Sequence, residues 1–327
     1  MKLVLSDEPP LRIASFVLDE LGNPLLQFEE GSLKFPQPFD VSNFDPQIMC
    51  SCQGLLCLGF EEGFLLWNPI TRTHHVFRKD PFREERVTKG EYVSVHGLGY
   101  DARLHDFKFI KVNQFEGHDE NGINFESQVL VYSLNKQRWA RLDSHEFSYN
   151  LEIQRVVTDV FVNGCLHYIV NKKNKGEADI IDSESLICAF NVSTETYLLI
   201  PKPSYVNLDH KFEVGVMDEC LCMIVKENDA RNFRLLEMRE YGNGSSWMRP
   251  IASTENENRK HVLMDGDRKL SCFDVGNNSL SNNHYCNFEE VCVFYESQLD
   301  LDTPDDDTPT SDDDDLHTSD HHANTVE

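Results

Sequence analysis

Trp67-Asn68-Pro69-Ile70-Thr71-Arg72-Thr73-His74 joins an aromatic residue to a bulky one through a turn-rich hexapeptide. The unit returns as Tyr132-SLNKQR-Trp139 and Phe190-NVSTET-Tyr197, more weakly as Phe273-DVGNNS-Leu280, and stretched as Met238-REYGNGSS-Trp247. Each copy predicts two strands joined by a tight turn with polar residues at its tip. A second unit comes earlier: Gly54-Leu55-Leu56-Cys57 matches Gly164-Cys165-Leu166-His167 and, loosely, Glu219-Cys220-Leu221-Cys222. Internal similarity of this kind marks a repeat architecture. The turn units start at 67, 132, 190, 238 and 273, so they lie 65, 58, 48 and 35 positions apart. A propeller blade takes four strands and roughly 40–50 residues. The wider spacings leave room for loop insertions at 78–91, 113–126 and 171–184. An all-β, propeller-like repeat of antiparallel blades, about six of them on that measure, accounts for these units. A β-sandwich, the alternative, leaves the repeat unexplained.

The surrounding sequence agrees. Apolar runs of strand length, such as Leu55-Leu56-Cys57-Leu58 and Leu166-His167-Tyr168-Ile169-Val170, alternate with Gly, Asn, Asp, Ser and Pro. Sustained 3.6-residue periodicity is scarce. Leu11 to Leu18 reads as a strand, and Pro9-Pro10, Gly22-Asn23-Pro24 and Pro36-Gln37-Pro38 punctuate the first 48 residues too closely for long helices. Of 327 residues, 40% are hydrophobic and 26% charged, as in an ordinary globular chain.

The net charge of −26 is unevenly placed: 11 acids and no Lys or Arg fall between Asp300 and Glu327, leaving 45 acids against 30 bases elsewhere. No chain-wide basic footprint replaces phosphate counterions, so nucleic acid is not an expected partner. Nor is a membrane, since no apolar run approaches roughly 18 residues. Residues 302–327 hold too little apolar surface to offset their ordering entropy. They read as a disordered acidic tail, dispensable for folding, after a domain spanning 1–301. The tail has no Gly and its prolines interrupt it, which excludes an EF-hand loop. The opening residues lack a signal-peptide apolar core, and the ten cysteines then read as reduced. Cytoplasm or nucleus is the expected location.

The titratable residues form no recognised catalytic motif. Cys50-Ser51-Cys52 and Cys220-Leu221-Cys222 are C-x-C pairs in apolar runs, better suited to core packing than to zinc. His74-His75 and His321-His322 are adjacent, and neighbouring strand residues face opposite sides. Gly97-Leu98-Gly99 has no helix signal after it and makes no phosphate site. Acidic pairs at Glu61-Glu62, Glu84-Glu85 and Asp218-Glu219 leave a propeller glycosidase as a disfavoured alternative. Asn191, Asn243 and Asn277 fit the glycosylation pattern but read as turn residues. Trp67, Trp139 and Trp247 each sit inside a repeat and are assigned to packing between blades. No catalytic, cofactor-binding or metal residue is assigned, and no cofactor is expected.

Seven segments, in order, resemble the plant F-box-associated domain. Gln53-Gly54-Leu55-Leu56-Cys57-Leu58 followed by Trp67-Asn68-Pro69-Ile70-Thr71-Arg72 resembles its opening motifs. Gly97-Leu98-Gly99-Tyr100-Asp101 with Asp106-Phe107-Lys108-Phe109-Ile110 is similar to its second segment. Val131-Tyr132-Ser133-Leu134 with Trp139, Phe161-Val162-Asn163-Gly164-Cys165-Leu166-His167, Ile187-Cys188-Ala189-Phe190, Met238-Arg239-Glu240-Tyr241-Gly242 with Trp247, and Tyr295-Glu296-Ser297 continue the series. The resemblance implies a non-catalytic domain that recognises a protein target for a Skp-cullin-F-box ubiquitin ligase, binding through its insertion loops. No segment here resembles the F-box that holds a Skp-type adaptor, so direct adaptor binding is expected only if an F-box is supplied upstream. The alternative is a partial copy that binds targets as a competitor, or has no ligase role.

Overall fold

The computed structural model describes residues 2–6, 12–18, 24–28, 35–36, 46–81, 92–119, 122–142, 149–151, 160–172, 185–206, 211–226, 233–249, 260–264, 270–274, 279–280, 290–294, 297–299 and 301. Among them the chain is almost wholly β, without α-helix. Strands β1 (Lys2–Ser6), β2 (Arg12–Leu18) and β3 (Pro24–Phe28) begin the first sheet. The second holds β4 (Gln47–Cys52), β5 (Leu55–Gly59), β6 (Gly63–Trp67) and β7 (His74–Arg78). The third holds β8 (Tyr92–Asp101), β9 (Asp106–Asp119), β10 (Gly122–Ser133) and β11 (Arg138–Leu142). In the fourth, β12 (Tyr149–Leu151) and β13 (Phe161–Val162) share one side of β14 (Cys165–Lys172), with β15 (Ser185–Asn191) and β16 (Thr196–Ile200) beyond. The fifth holds β17 (Lys211–Met217), β18 (Cys220–Lys226), β19 (Phe233–Met238) and β20 (Trp247–Met248). The sixth holds β21 (Lys260–Met264), β22 (Leu270–Asp274) and β23 (Ser279–Leu280).

The last strand, β24 (Glu290–Phe294), returns to the first sheet and pairs antiparallel with β1, from Lys2↔Phe294 to Ser6↔Glu290. It takes the inner position, giving the order β24-β1-β2-β3, and it lies beside β4, which in turn lies beside β8. Six antiparallel sheets in chain order, with the last strand completing the first, are a β-propeller closed by both ends of the described chain.

The repeated units are hairpins in register. Trp67 pairs with His74, Tyr132 with Trp139, Phe190 with Tyr197, Met238 with Trp247 and Phe273 with Leu280. Seven positions is therefore the span of this hairpin, nine in the stretched copy, and in the second to fifth sheets it joins the third and fourth strands. Its chemistry repeats too. Asn68 accepts from the N–H of Ile70 (2.9 Å) and Asn191 from that of Ser193 (3.0 Å). The fifth turn residue is left-handed each time: Arg72 (φ 65°), Gln137 (φ 48°) and Glu195 (φ 57°). The second unit follows the turn joining the first two strands. There Gln53-Gly54, Asn163-Gly164 and Asp218-Glu219 all have positive φ, as a two-residue type I′ hairpin requires.

The core lies between blades. Cys50, Leu55 and Leu66 of the second sheet bury against Leu98, Phe109 and Tyr132 of the third. Ile110 and Val112 of the third meet Leu166, Val170 and Phe190 of the fourth. Ile169 and Ile187 of the fourth meet Val214, Met223 and Trp247 of the fifth.

One insertion is corrected. Residues 113–119 and 122–126 are not a loop: β9 and β10 run through them as one ladder, from Asn113↔Gln128 out to Asp119↔Gly122. The polar residues that look like loop composition satisfy one another across the ladder. Asn113 Nδ2 donates to Gln128 Oε1 (3.2 Å) and Gln114 Nε2 to Ser127 Oγ (3.0 Å), all four residues buried. Of the other two insertions, 82–91 and 173–184 lie outside the described residues, as do 275–278 and 302–327.

Candidate interaction surface

Strand alternation gives each blade two unlike ends. The turns from first to second and from third to fourth strand leave one end, and they are short, such as Gln53-Gly54 and the hexapeptides above. The connections from second to third strand, and from blade to blade, leave the other. Between blades these run to 18 residues from β3 to β4 (29–46) and 13 from β7 to β8 (79–91). Within the fourth blade, 12 residues separate β14 from β15 (173–184). The same end carries the β9–β10 extension, whose ladder continues four pairs past Phe115, the last residue of β9 that β8 matches. On such a scaffold the long connections are where the sequence can vary without disturbing the blades.

The scaffold beneath it is clasped from blade to blade. On β9, Lys108 reaches the fourth blade, donating to the Val192 carbonyl (2.8 Å) and pairing with Glu195 Oε1 (2.9 Å) and with Asp101 Oδ2 (3.1 Å) of its own blade. Asp101 also accepts from Ser193 Oγ at 2.6 Å. Burial pushes the Asp101 carboxyl up, but hydrogen bonds from Ser193 and Lys108 outweigh it and hold it below its ordinary value. Burial likewise lowers Lys108, yet its bonds to Glu195 and Asp101 raise it overall. Lys111, three residues on and so on the opposite face, pairs with buried Asp80 at 3.2 Å beside the second blade.

Two tryptophans repeat one latch: Trp139 Nε1 donates to the Arg78 carbonyl (3.0 Å) and Trp247 Nε1 to the Pro201 carbonyl (2.7 Å), each in the preceding blade. Trp67 is buried. His167 Nδ1 donates to the Val160 carbonyl (2.9 Å), which leaves Nε2 to accept from the Tyr241 hydroxyl of the next blade at 2.8 Å. Burial lowers His167 to about 4. The chain end is clasped as well. Asn68 Nδ2 donates to the carbonyls of Ser297 (3.0 Å) and Leu299 (2.7 Å), and Leu301 N–H donates to Thr73 Oγ1 (3.0 Å).

The remaining described residues singled out in the sequence find packing or turn positions, while Asn277, His321 and His322 lie outside the described residues. Cys50 and Cys52 are buried in the core between the second and third blades, and Cys222 in the fifth. Burial pushes the Cys188 thiol up to about 12, so it stays protonated. His75 lies buried against Tyr132, its Nε2 3.0 Å from the hydroxyl. Gly97 and Gly99 let β8 abut the fourth blade: a Cβ at Gly97 would meet Leu166 Cδ1 at 2.8 Å, and one at Gly99 would meet Val192 Cγ1 at 2.6 Å. Glu61 and Glu62 are exposed, and Asp218-Glu219 is the type I′ turn of the fifth blade. Glu84 and Glu85 lie outside the described residues.

Sequence reading missed one copy of the turn unit. Tyr100-DARLHD-Phe107 has the same seven-residue span, the pair Tyr100↔Phe107 and a left-handed fifth residue, His105 (φ 50°), but it joins first and second strands. Spacing alone could have found it. The clasping roles of Lys108 and Lys111 had no such signal.

The model of the F-box associated beta propeller domain family matches residues 23–218, more than half of the chain. The chain belongs to this family. Its relatives in Arabidopsis thaliana include F-box protein CPR1, 28% identical over 271 residues that cover 72% of this chain and 62% of that protein. F-box protein At4g22390 is 23% identical, covering 80% of this chain and 69% of its own length. Putative F-box protein At4g21240 is 26% identical over 155 residues, covering 47% and 34% respectively. The chain thus spans about three fifths of the length of F-box protein CPR1.

Proposed function

We propose that this chain is the target-recognition part of an F-box protein, holding a protein substrate for ubiquitin transfer while a Skp-type adaptor binds an F-box supplied separately from residues 1–301. The observation that carries the reading is a family match lying on a propeller whose long connections all leave one end. Cross-blade clasps hold the blades beneath that end in one arrangement, so the connections can differ without cost to the fold. The chemistry asked of this chain is binding and orientation, in the cytoplasm or nucleus.

The test separates recognition from recruitment. Partners are captured from plant extract with the full chain and with variants whose 82–91 or 173–184 segments are replaced by Gly-Ser linkers of equal length, leaving Asp80 and its pair with Lys111 in place. A specific protein retained by the parent and lost from a variant with unchanged thermal stability supports the reading. Retention by every variant removes it. Purified adaptor, offered to the full chain alone, is expected not to bind.

A further inference from the structure

In a protein of net charge −26, the tight-turn end of the second and third blades is locally basic. Arg72, Arg103, Lys136 and Arg138 are all exposed on the turns 67–74, 100–107 and 132–139. The two acids on those turns, Asp101 and Asp106, are 0% and 2% exposed and already bonded to Lys108 and Ser133. The neighbouring Glu195 is tied to Lys108. The cations are therefore not neutralised by acids on their own turns. On the fourth and fifth blades the corresponding turns carry Glu195, Asp218, Glu219 and Glu240, and their one cation, Arg239, is paired with Glu237 at 3.2 Å.

The described chain ends at this basic patch. Leu301 is 5% exposed, packed in the cluster that contains Phe107 and Tyr132, with Leu134 and Trp139 against it. Its N–H is held by Thr73, the neighbour of Arg72. The 26 residues that follow carry nine Asp between Asp302 and Asp320 and no Lys or Arg. Random-coil statistics for 26 residues give a root-mean-square reach of roughly 28 Å, enough to cross from one blade to the next.

We propose that the exposed cations Arg72, Arg103, Lys136 and Arg138 hold this chain's own acidic C-terminal segment, 302–320. The tail extends the clasp made by Asn68 and Thr73 and covers the basic patch against other acidic ligands. Exposed ion pairs contribute little each, so the contact depends on tethering and fades with salt rather than raising the stability of the fold.

Zero-length carbodiimide coupling, which condenses a carboxylate with an amine, tests this on the full chain. The tail should couple to Lys136 in preference to Lys202, in a yield independent of protein dilution. The coupling should be lost in about 0.5 M salt, where screening lengths shrink to a few ångströms, and in R72E/R138E, which keeps Lys136. Equal coupling to both lysines, yield that falls on dilution, or indifference to R72E/R138E would overturn the proposal. A second variant, the full chain with the nine tail Asp changed to Asn, should bind a synthetic 302–327 peptide about tenfold tighter than the parent. The tethered tail competes in the parent at an effective concentration near millimolar. Equal affinity for the two, or capture of an unrelated acidic peptide but not the tail peptide, would also overturn it.

Discussion

His167 stays neutral because the blades close over it. Its Nδ1–H donates to a backbone carbonyl and its Nε2 accepts from Tyr241, and burial lowers it to about 4 against an ordinary value of 6.5. His96 is lowered to about 3, first by burial and then by Lys111. Between roughly pH 6.5 and these values the unfolded chain binds protons that the folded chain does not, so stability falls as pH falls through that window. Each unit of the gap is worth about 1.4 kcal/mol. Urea midpoints should drop steadily from pH 7.5 to pH 4.5, and H167N should show a shallower drop. A flat profile, or an unchanged slope in the variant, would contradict the neutral-imidazole assignment. Glu219 offers a second check at this scale. It is left-handed at φ 62°, where the matching turns have Gly54 and Gly164. Glu219→Gly should stabilise by about 1 kcal/mol, because the left-handed conformation costs roughly 1–2 kcal/mol at a residue with Cβ; loss of stability would mean that the Glu219 side chain is needed there.

At the scale of elements, β8 and β9 decide how the third blade meets its neighbours. Gly97 and Gly99 allow close approach on one strand; Lys108 and Lys111 tether opposite faces of the other. Gly99→Ala should cost about 1–3 kcal/mol, the range for overpacking, with Val192→Ala restoring part of it in the double variant. No change in either denaturation midpoint would show that the blades can shift apart freely. Lys108→Met leaves Asp101 buried beside an apolar side chain, so a loss of about 3–5 kcal/mol is expected. D101N/K108M should recover much of that loss, and additive losses would argue against a coupled pair. These elements also show what the sequence could reveal. Trp67↔His74 and Phe190↔Tyr197 were legible because a hairpin writes its pairing into seven consecutive residues. The Lys108–Val192 contact spans 84 positions and the Asn68–Leu299 contact 231, with no local pattern to announce either. The β9–β10 ladder was misread for a related reason: Asn113, Gln114, Ser127 and Gln128 carry loop composition, and only their pairing across strands reveals them as buried. The interaction surface was the least legible, because it depends on which connections share an end of the ring.

For the whole molecule, closure should be the source of cooperativity. The first blade has only β1, β2 and β3 of its own, and β24 supplies its inner strand. Beyond β24, Ser297 and Leu299 dock on Asn68 of the second blade, so one short stretch joins first blade, last blade and second blade. Ending the chain before Glu290 would strip the inner strand from β1 and release the clasp together. It would also expose the edge of β1, a template for association with other chains. Ending it after Leu301 keeps every one of these contacts. The shorter truncation should therefore elute as aggregate and lose near-ultraviolet dichroism, while the longer one should melt in a single transition close to that of the full chain. Asn68→Ala, which removes the clasp but leaves β24 in place, should fall between them: monomeric, with faster amide exchange in β1 and β24 than in β14 and β15. Uniform exchange rates across those four strands would place the stability of the ring elsewhere than at its closure.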